Sequence, residues 1–417
     1  MEKIVIYGKE ELNGSVEVSG MKNSALPIIF ACVLIQDDCI IDNVPRVSDV
    51  FNALKILKSM GAKAEFCSKH SVIINTKNLI PNNEQASLIC KMRASSYLMG
   101  AMLSRFGYVE IPMPGGCNFG VRPLDIHLKG FSSLGAICEE NEEKIRIFSK
   151  KGLKCSKITL DKISVGATIN IVLASVFIDG VTIIKNCAQE PHVDDLIFFL
   201  NKCGANIKRL GSVIICKGVK RLYGTRYKIF PDMIEALTYI TFVGICKGSI
   251  DIYGANLQHL SLEISLFRRM GFEIFENHNC LKVIVNSISG ANIITSPYPH
   301  FPTDLHPQFA ALLCFAKGGG SITELVFPTR FAYVQELEKM GALIKRHDNT
   351  VYITDTKLKG AVTDATDLRA GAALVAAALG AEGKSEINNV NYIVRGYESI
   401  VDKIANIGGK IKLIKGD

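Results

Sequence analysis

A short glycine-centred motif recurs along this chain at intervals of about 70 residues. In each copy a glycine ends an amphipathic stretch and is followed by alternating apolar and polar residues. The glycines are Gly61, Gly135, Gly204, Gly271, Gly341 and Gly408. Repetition at a fixed period indicates one folding unit used several times. The sequence therefore predicts six modules, and since 417 residues exceed one comfortable core, two domains of three modules each.

Each module contains two predicted helices of different character. Before the glycine, apolar residues are spaced three and four apart, as in Val50, Leu54 and Leu57, which is a helical spacing. The glycine then fits a helix C-cap, and the alternation that follows predicts a strand. The second helix, such as Ala167–Phe177, is apolar nearly all round, which indicates burial on several sides. We expect an α/β fold with helices inside and sheets outside; an ordinary doubly wound sheet fits the period less well.

Composition excludes several classes of protein. The net charge of +8 is dispersed, without the basic runs and interleaved aromatic residues of nucleic-acid binders, but it suits anionic small molecules. The 13 cysteines lack any CxxC pair and mostly occupy apolar stretches, such as Cys32, Cys90, Cys246 and Cys314, so buried free thiols are expected. The apolar run Ala370–Ala381 is shorter than the roughly 20 residues that span a membrane. With no signal peptide at the start, we expect a cytoplasmic protein without a membrane partner.

One loop, between Pro112 and Pro123, concentrates prolines and glycines around a cysteine. Cys117 precedes Arg122 by five residues, and a nearby cation lowers the pKa of a thiol and favours its reactivity. An exposed, inert cysteine is equally compatible with the spacing. The segment predicts a loop or lid and leaves both interpretations of Cys117 open.

Several apolar helices are preceded by basic residues. Lys22, with Ser24 as a possible cap, and also Arg93, Lys162 and Arg369 stand at such helix starts. Helix N-termini attract anions, and capping alone prefers acidic residues. We therefore expect several helix N-termini to converge on one anionic ligand or two, although the charges could simply solvate these ends.

Two acidic residues also precede buried helices. Asp304 and Asp367 could act only as N-caps, and on sequence alone that is the simpler interpretation. Arg395 lies in a glycine-containing turn. The segment Gly383-Lys384-Ser385 resembles the end of a nucleotide-binding P-loop. The required first glycine is Ala378, and the segment follows a predicted helix instead of preceding one, which disfavours a P-loop.

Taken with these residues, the chain resembles the MurA-type enolpyruvyl transferases, the UDP-N-acetylglucosamine 1-carboxyvinyltransferases, over essentially its whole length. The similar segments are 19–27, 114–117, 122–127, 164–168, 301–304, 365–370 and 395–398. The sister family that makes enolpyruvylshikimate phosphate shares the fold, but its Gly-Asn-Ala-Gly-Thr loop is absent here.

The resemblance implies two inside-out α/β barrel domains with six βαβαββ repeats, three per domain, an EPT/RTPC-like fold. It implies one domain over residues 21–229, bearing the cysteine loop. The second would combine residues 1–20 with residues 230–417, and the active site would lie in the cleft between the two.

The implied reaction moves the enolpyruvyl group of phosphoenolpyruvate to the 3′-hydroxyl of UDP-N-acetylglucosamine and releases phosphate, the first committed step of peptidoglycan synthesis. By resemblance, Cys117 donates a proton and forms an adduct with phosphoenolpyruvate, and Asp304 is the base at the sugar hydroxyl. Asp367 and Arg369 support the same centre. The residues matching the family's phosphoenolpyruvate site are Lys22, Asn23, Arg122 and Arg395.

A second set of residues matches the family's nucleotide-sugar site. It comprises Asn23, Arg93, Arg122, Pro123, Leu124, Asp125, Ile126, Lys162, Ile163, Ser164, Val165, Asp304 and Val326. No metal or organic cofactor is implied. Since fosfomycin alkylates the family's loop cysteine, Cys117 is its expected target here.

Two positions depart from the family pattern. Met233 replaces a usual arginine, and Ser48 replaces a frequent lysine. Two rival functions are considered, a non-catalytic nucleotide-sugar-binding paralogue and a sister enolpyruvyl transferase with another acceptor. The first is disfavoured because the chain retains the family's loop cysteine, its cationic residues and its acid: Cys117, Lys22, Arg122, Arg395 and Asp304.

Overall fold

The computed structural model describes residues 2–82, 86–113, 124–277 and 279–415. Cys117, Arg122 and Pro123 lie outside the described residues. The chain divides into two units, each with its own core. We call them the terminal unit, which combines Met1–Ser19 with Pro231–Asp417, and the central unit, which lies between Gly20 and Phe230. The predicted position of the active site, between two domains, stays a prediction.

The strands are short, and most have one buried face. They are β1 Lys3–Tyr7, β2 Leu12–Glu17, β3 Cys39–Asp42, β4 Lys63–Phe66, β5 Ser71–Asn75, β6 Tyr108–Pro112, β7 Ile137–Glu140, β8 Lys144–Phe148, β9 Lys157–Thr159, β10 Val181–Lys185, β11 Asn206–Leu210, β12 Val213–Lys217, β13 Arg226–Lys228, β14 Gly248–Tyr253, β15 Glu273–Asn277, β16 Cys280–Val285, β17 Ser289–Thr295, β18 Lys317–Glu324, β19 Leu343–His347, β20 Thr350–Thr354, β21 Val362–Asp364, β22 Lys384–Asn388 and β23 Lys410–Ile414.

The helices alternate with these strands. They are α1 Lys22–Ala31, α2 Ser48–Ser59, α3 Ala86–Lys91, α4 Tyr97–Phe106, α5 Asp125–Ser133, α6 Val165–Ser175, α7 Pro191–Lys202, α8 Met233–Cys246, α9 Ser261–Arg269, α10 His306–Leu313, α11 Tyr333–Lys339, α12 Leu368–Gly380 and α13 Ile400–Asn406. Short 3-10 turns precede two of them, Arg93–Ser96 before α4 and Thr303–Leu305 before α10.

The four-stranded sheets of the described chain follow one plan, although three of them take one strand from a distant part of the chain: β13 pairs with β3, β2 pairs with β14, and β1 pairs with β22 and β23. In the order β9-α6-β10-α7-β11-β12, β9 pairs parallel with β10, and β12 pairs antiparallel with both β10 and β11. Five sheets have four strands in this arrangement, and the sheet β6-β8-β7 has three. In the last repeat the N-terminal strand β1 lies between β22 and β23, so the two chain ends complete one module.

The apolar helices form the interior of each unit. In the terminal unit α8, α10 and α12 pack against one another, and in the central unit α4 packs on both α1 and α6. Every residue of α8 is buried, which explains why its sequence shows no polar face. With helices inside and sheets outside, the predicted fold class of inside-out α/β barrels is confirmed.

The six repeated glycines act as predicted at the helix ends. Their φ angles lie between 88° and 105°. The backbone is strained in this region for any residue that has a Cβ atom. At Gly61 the N–H bonds the carbonyl of Lys58, and the next N–H bonds that of Leu57, which together form a Schellman motif. The same pair of bonds recurs at the other five glycines. The repeat therefore marks where each amphipathic helix ends and its strand begins.

Two local predictions were wrong. Cys90 is exposed, unlike the buried Cys32, Cys246 and Cys314, because its helical neighbour Ile89 is the residue that faces the core. Ser24 does not cap α1, since that helix already begins at Lys22 and places Ser24 inside its first turn. Within the described ranges, every helix is too short or too polar to cross a bilayer.

Candidate active site

Asp304 lies in the terminal unit, in the 3-10 turn Thr303–Leu305 before α10. Its carboxylate accepts a hydrogen bond from Arg330 Nη1 at 2.8 Å and another from Arg369 Nη2 at 3.1 Å. The side chain is 26% exposed, whereas those of both arginines are 5% exposed. The N-cap interpretation of Asp304 was therefore wrong: its carboxylate binds two guanidinium groups, one on each oxygen, and its side chain stays partly exposed.

Arg369 lies in the first turn of α12, two residues after the N-cap Asp367. Its Nη1 donates to the hydroxyl of Tyr397 at 3.0 Å, and its guanidinium lies 5.5 Å from the centre of that ring. Burial alone would lower the pKa of Arg369. The hydroxyl of Tyr397 and the charge of Asp304 outweigh burial and raise this pKa above its usual value. Arg369 is thus a fixed buried cation whose direction is set from two sides.

Arg330 was missed by the sequence analysis. It lies in the loop after β18, is 4% exposed, and donates to both Thr303 Oγ1 at 2.9 Å and Asp304 Oδ1 at 2.8 Å. The available signal was an arginine two residues after Pro328 in a short loop that leaves a buried strand. That signal is weak because surface loops carry many arginines, and only the fold shows that this one is buried.

The two arginines determine the charge of Asp304. Burial tends to raise the pKa of its carboxyl, but the positive charges of Arg369 and Arg330 outweigh burial and hold the pKa well below its usual range. Asp304 is consequently ionised at neutral pH, and its carboxylate can only accept hydrogen bonds.

Asp367, Arg395 and Val326 occupy the same unit. Asp367 acts as a helix N-cap, accepting the backbone N–H groups of Arg369 at 2.8 Å and Ala370 at 3.0 Å. Arg395 lies in the turn after β22 and is half-buried, and Val326 is half-buried in the loop after β18. The N-cap interpretation is therefore correct for Asp367, which positions Arg369 through the helix end they share.

In the central unit, Lys22 opens α1 and binds a buried partner. Its Nζ lies 3.1 Å from Oδ2 of Asp49, and the two side chains are 13% and 6% exposed. Asn23 follows in the same first turn and is half-buried. The lysine thus has a fixed position at a helix N-terminus, where anions are favoured.

A second cluster of the central unit surrounds His127 in α5. Burial and the nearby charge of Arg93 lower the pKa of His127 to about 3, so the imidazole is neutral. Its Nδ1 accepts from Asn170 at 3.0 Å, and its ring packs so closely on Gly166 that a Cβ atom there would lie 2.8 Å from it. The starts of α5 and α6 and the segment of Arg93 therefore meet at this histidine.

The remaining predicted nucleotide-sugar residues surround these helix starts. Leu124 is buried, Ile126 is half-buried and Asp125 is exposed at the beginning of α5. Lys162 and Ile163 are exposed in the loop before α6, followed by the half-buried Ser164 and Val165. Ser164 caps α6 by accepting the N–H of Ala167 at 3.3 Å. The described residues contain no cluster of three or more His, Cys, Asp or Glu side chains that could hold a metal ion.

Comparisons with known proteins agree with the fold. The family model of EPSP synthase (3-phosphoshikimate 1-carboxyvinyltransferase) matches residues 6–404. The enolpyruvyl transferase NikO from Streptomyces tendae has the same fold, with a TM-score of 0.89 at 22% identity, over 100% of this chain and 99% of that one. EPSP synthase from Acinetobacter baumannii gives a TM-score of 0.76 at 17% identity, with complete coverage of both chains.

Curated relatives are closer in sequence. A UDP-N-acetylglucosamine 1-carboxyvinyltransferase of Finegoldia magna is 41% identical over 420 residues, which cover 100% of this chain and 99% of that protein. UDP-N-acetylglucosamine 1-carboxyvinyltransferase 1 of Clostridium acetobutylicum is 43% identical over 419 residues, with complete coverage of both. The chain therefore belongs to the EPSP synthase family of enolpyruvyl transferases and, within it, to the group of UDP-N-acetylglucosamine 1-carboxyvinyltransferases.

Proposed function

We propose that this protein transfers the enolpyruvyl group of phosphoenolpyruvate to the 3′-hydroxyl of UDP-N-acetylglucosamine and releases phosphate. The observation that carries the proposal is the 41% and 43% identity, across complete chains, to relatives that bear the name of this activity. The cluster of Asp304, Arg330 and Arg369 supports it, because it combines a carboxylate that can serve as base with cations that can bind an anionic substrate.

The reaction needs a base at the acceptor hydroxyl and an acid at the methylene carbon. The sugar oxygen attacks the central carbon of phosphoenolpyruvate while a proton joins the methylene carbon, which becomes a methyl group. The tetrahedral adduct then loses phosphate together with one proton of that methyl group, which restores the double bond. Asp304 is the proposed base. Because two guanidinium groups lower its pKa, it is a weak base that first accepts a hydrogen bond. It takes the proton only when bond formation has made the hydroxyl acidic.

The cations of the site match an anionic substrate. Phosphoenolpyruvate carries a carboxylate and a phosphate, and buried guanidinium groups bind such groups bidentately. Arg369, Arg330 and Arg395 in the terminal unit, and Lys22 in the central unit, are the proposed ligands. An anion that draws Arg330 or Arg369 toward itself weakens their hold on Asp304, so binding of phosphoenolpyruvate makes the base stronger.

The role of the loop cysteine rests on the family resemblance. Cys117 and Arg122 lie outside the described residues, and we propose Cys117 as the proton donor to the methylene carbon and Arg122 as a further phosphoenolpyruvate ligand. For UDP-N-acetylglucosamine, the proposed contacts come from Asn23, Arg93, Arg122, Pro123, Leu124, Asp125, Ile126, Lys162, Ile163, Ser164, Val165, Asp304 and Val326. Both substrates are cytoplasmic metabolites, which makes the cytoplasm the proposed compartment.

A sister enolpyruvyl transferase with another acceptor has less support. The similarity to NikO concerns the fold, at 22% identity, while the relatives with the proposed acceptor in their names are about twice as similar in sequence.

Release of phosphate from phosphoenolpyruvate tests the proposal. The protein is assayed with UDP-N-acetylglucosamine, with shikimate 3-phosphate and with neither acceptor. We expect release only with the first acceptor. Release with shikimate 3-phosphate alone would assign the sister activity, and binding of the sugar nucleotide without any release would support the non-catalytic paralogue.

A further inference from the structure

Glu324 is a buried carboxylate outside the set of residues assigned so far. It ends β18, is 0% exposed, and accepts five hydrogen bonds. Its Oε1 accepts from Thr295 Oγ1 at 2.8 Å and from the backbone N–H groups of Val326 at 2.7 Å and Phe327 at 2.8 Å. Its Oε2 accepts from Thr303 Oγ1 at 2.8 Å and His306 Nδ1 at 2.9 Å. A buried charge with so many donors is fixed in one orientation.

These bonds join two loops that carry the proposed site. One is the segment of Thr303, Asp304 and His306, and the other is the loop after β18 that carries Val326 and Arg330. The hydroxyl of Thr303 has one hydrogen, which it donates to Glu324. Its oxygen is therefore left to accept from Arg330 Nη1 at 2.9 Å, and the same Nη1 binds Asp304 Oδ1 at 2.8 Å. A continuous path of hydrogen bonds thus leads from Glu324 through Thr303 and Arg330 to Asp304.

His306 completes the environment of Glu324. Burial raises the pKa of this carboxyl, whereas the imidazole of His306 and the other donors lower it. The result is a pKa of about 2. Because the ionised carboxylate only accepts, His306 Nδ1 carries the proton that it donates. Burial lowers the pKa of His306, so its Nε2 accepts the hydroxyl proton of Tyr333 at 2.7 Å. The network therefore contains one negative charge, and the hydroxyl of Thr303 is one of its five donors.

We propose that Glu324 is a positioning residue for the transferase reaction, which acts through the hydroxyl of Thr303 to hold Arg330 against Asp304. Without an acceptor at Glu324, the hydroxyl of Thr303 has no fixed rotamer, and Arg330 loses the aligned acceptor at Thr303 Oγ1. The side chain of Glu324 itself touches no substrate. The inference rests on the proposed function, because Asp304 is the proposed base.

The test is a double-variant cycle on the full-length protein. It compares kcat for phosphate release in the wild type, Thr303→Val, Glu324→Gln and the combined variant, with Thr303→Ser as the matched control. Thr303→Val keeps the shape of the side chain and removes only the hydroxyl, whereas Thr303→Ser keeps the hydroxyl. We expect Thr303→Val to lower kcat at least tenfold and Thr303→Ser to retain most of it.

The combined variant separates positioning from general support of the fold. If Glu324 acts through Thr303, the combined variant loses no more kcat than the more impaired single variant, because the path is already interrupted. Losses that multiply, or a Thr303→Val enzyme with wild-type kcat, would overturn the proposal. Should Glu324→Gln fail to fold, Glu324→Asp, which keeps the carboxylate but shortens the side chain, replaces it in the same cycle.

Failure of the proposed function is recognised separately. A wild-type protein that releases no phosphate with UDP-N-acetylglucosamine contradicts that function but leaves the network testable. The same cycle is then measured in free energies of unfolding, by chemical denaturation. Non-additive effects of the Thr303 and Glu324 changes would support their coupling, and additive effects would refute it.

Discussion

Arg369 donates a hydrogen bond to Asp304 at 3.1 Å, although 65 residues of chain separate the two. The arginine is fixed in the first turn of α12 and the aspartate in the turn before α10, two helices that pack together inside one unit. With Arg330 on its other oxygen, the carboxylate lies between two nearly buried cations. The two ion pairs explain why this carboxyl stays ionised.

Replacement of Asp304 by asparagine tests its role as base. The amide keeps the size of the side chain but cannot take a proton, so we expect kcat to fall by about 10²-fold or more. The change also leaves two nearly buried guanidinium groups without their anion, which lowers the free energy of unfolding by about 2–3 kcal/mol. Steady-state phosphate release and chemical denaturation measure the two effects. A kcat near that of the wild type would exclude Asp304 as the base.

Replacement of Arg330 by glutamine tests the electrostatic part of the account. With one of two positive neighbours removed, the pKa of Asp304 rises toward its ordinary value. The reaction needs the carboxylate, so activity is lost as pH falls through that pKa, and the variant loses activity at a higher pH than the wild type. The pH dependence of kcat measures the shift. Arg346, an exposed arginine of the same unit, offers the control Arg346→Gln, which should leave the profile unchanged; equal profiles for all three proteins would contradict the account.

The ion pair of Lys22 and Asp49 predicts an effect on one substrate. In Asp49→Asn the lysine loses its buried partner at 3.1 Å and its fixed direction. We expect the KM for phosphoenolpyruvate to rise about tenfold, with a smaller effect on UDP-N-acetylglucosamine. The more exposed pair of Asp37 and Arg221 in the same unit supplies the control Asp37→Asn, which should change neither KM. Equal effects of the two substitutions would argue against a positioned lysine.

The repeated glycines predict a graded loss of stability. At Gly341 φ is +91° and no atom lies within 4 Å of an added Cβ, so alanine incurs only backbone strain of about 1 kcal/mol. At Gly61 the added carbon would also lie 2.9 Å from the carbonyl oxygen of Asn78, and Gly61→Ala should cost more. Denaturant midpoints of the two variants measure the order. A Gly341→Ala protein less stable than Gly61→Ala would contradict it.

Much of the fold could be predicted because its signals are local. The amphipathic helices, their glycine ends and the following strands depend on residues close in sequence, and a period of about 70 residues repeats those signals six times. Asp367 as an N-cap was predictable for the same reason. Cys90 shows the limit of such prediction. It lies in the short helix α3, and an apolar composition does not determine which residues of so short a helix face the core.

The candidate site was only partly predictable because its contacts join distant segments. Asp304 has the same local sequence signal as Asp367, yet one binds two arginines and the other caps a helix. Arg330 and Glu324 have no motif of their own, and their importance follows from burial and from bonds to Thr303 that only the folded chain creates. The role of a charged residue in a short loop depends on the segments that pack over it. The sequence of the loop does not show which segments those are.

Identification of the reaction product tests the central claim most directly. The protein is incubated with phosphoenolpyruvate and UDP-N-acetylglucosamine, and mass spectrometry of the sugar nucleotide is combined with measurement of free phosphate. The account predicts a sugar nucleotide heavier by one enolpyruvyl group, formed in equal amount to the phosphate, and little product with Asp304→Asn. An unmodified sugar nucleotide, or phosphate released without an acceptor, would contradict the proposed transfer.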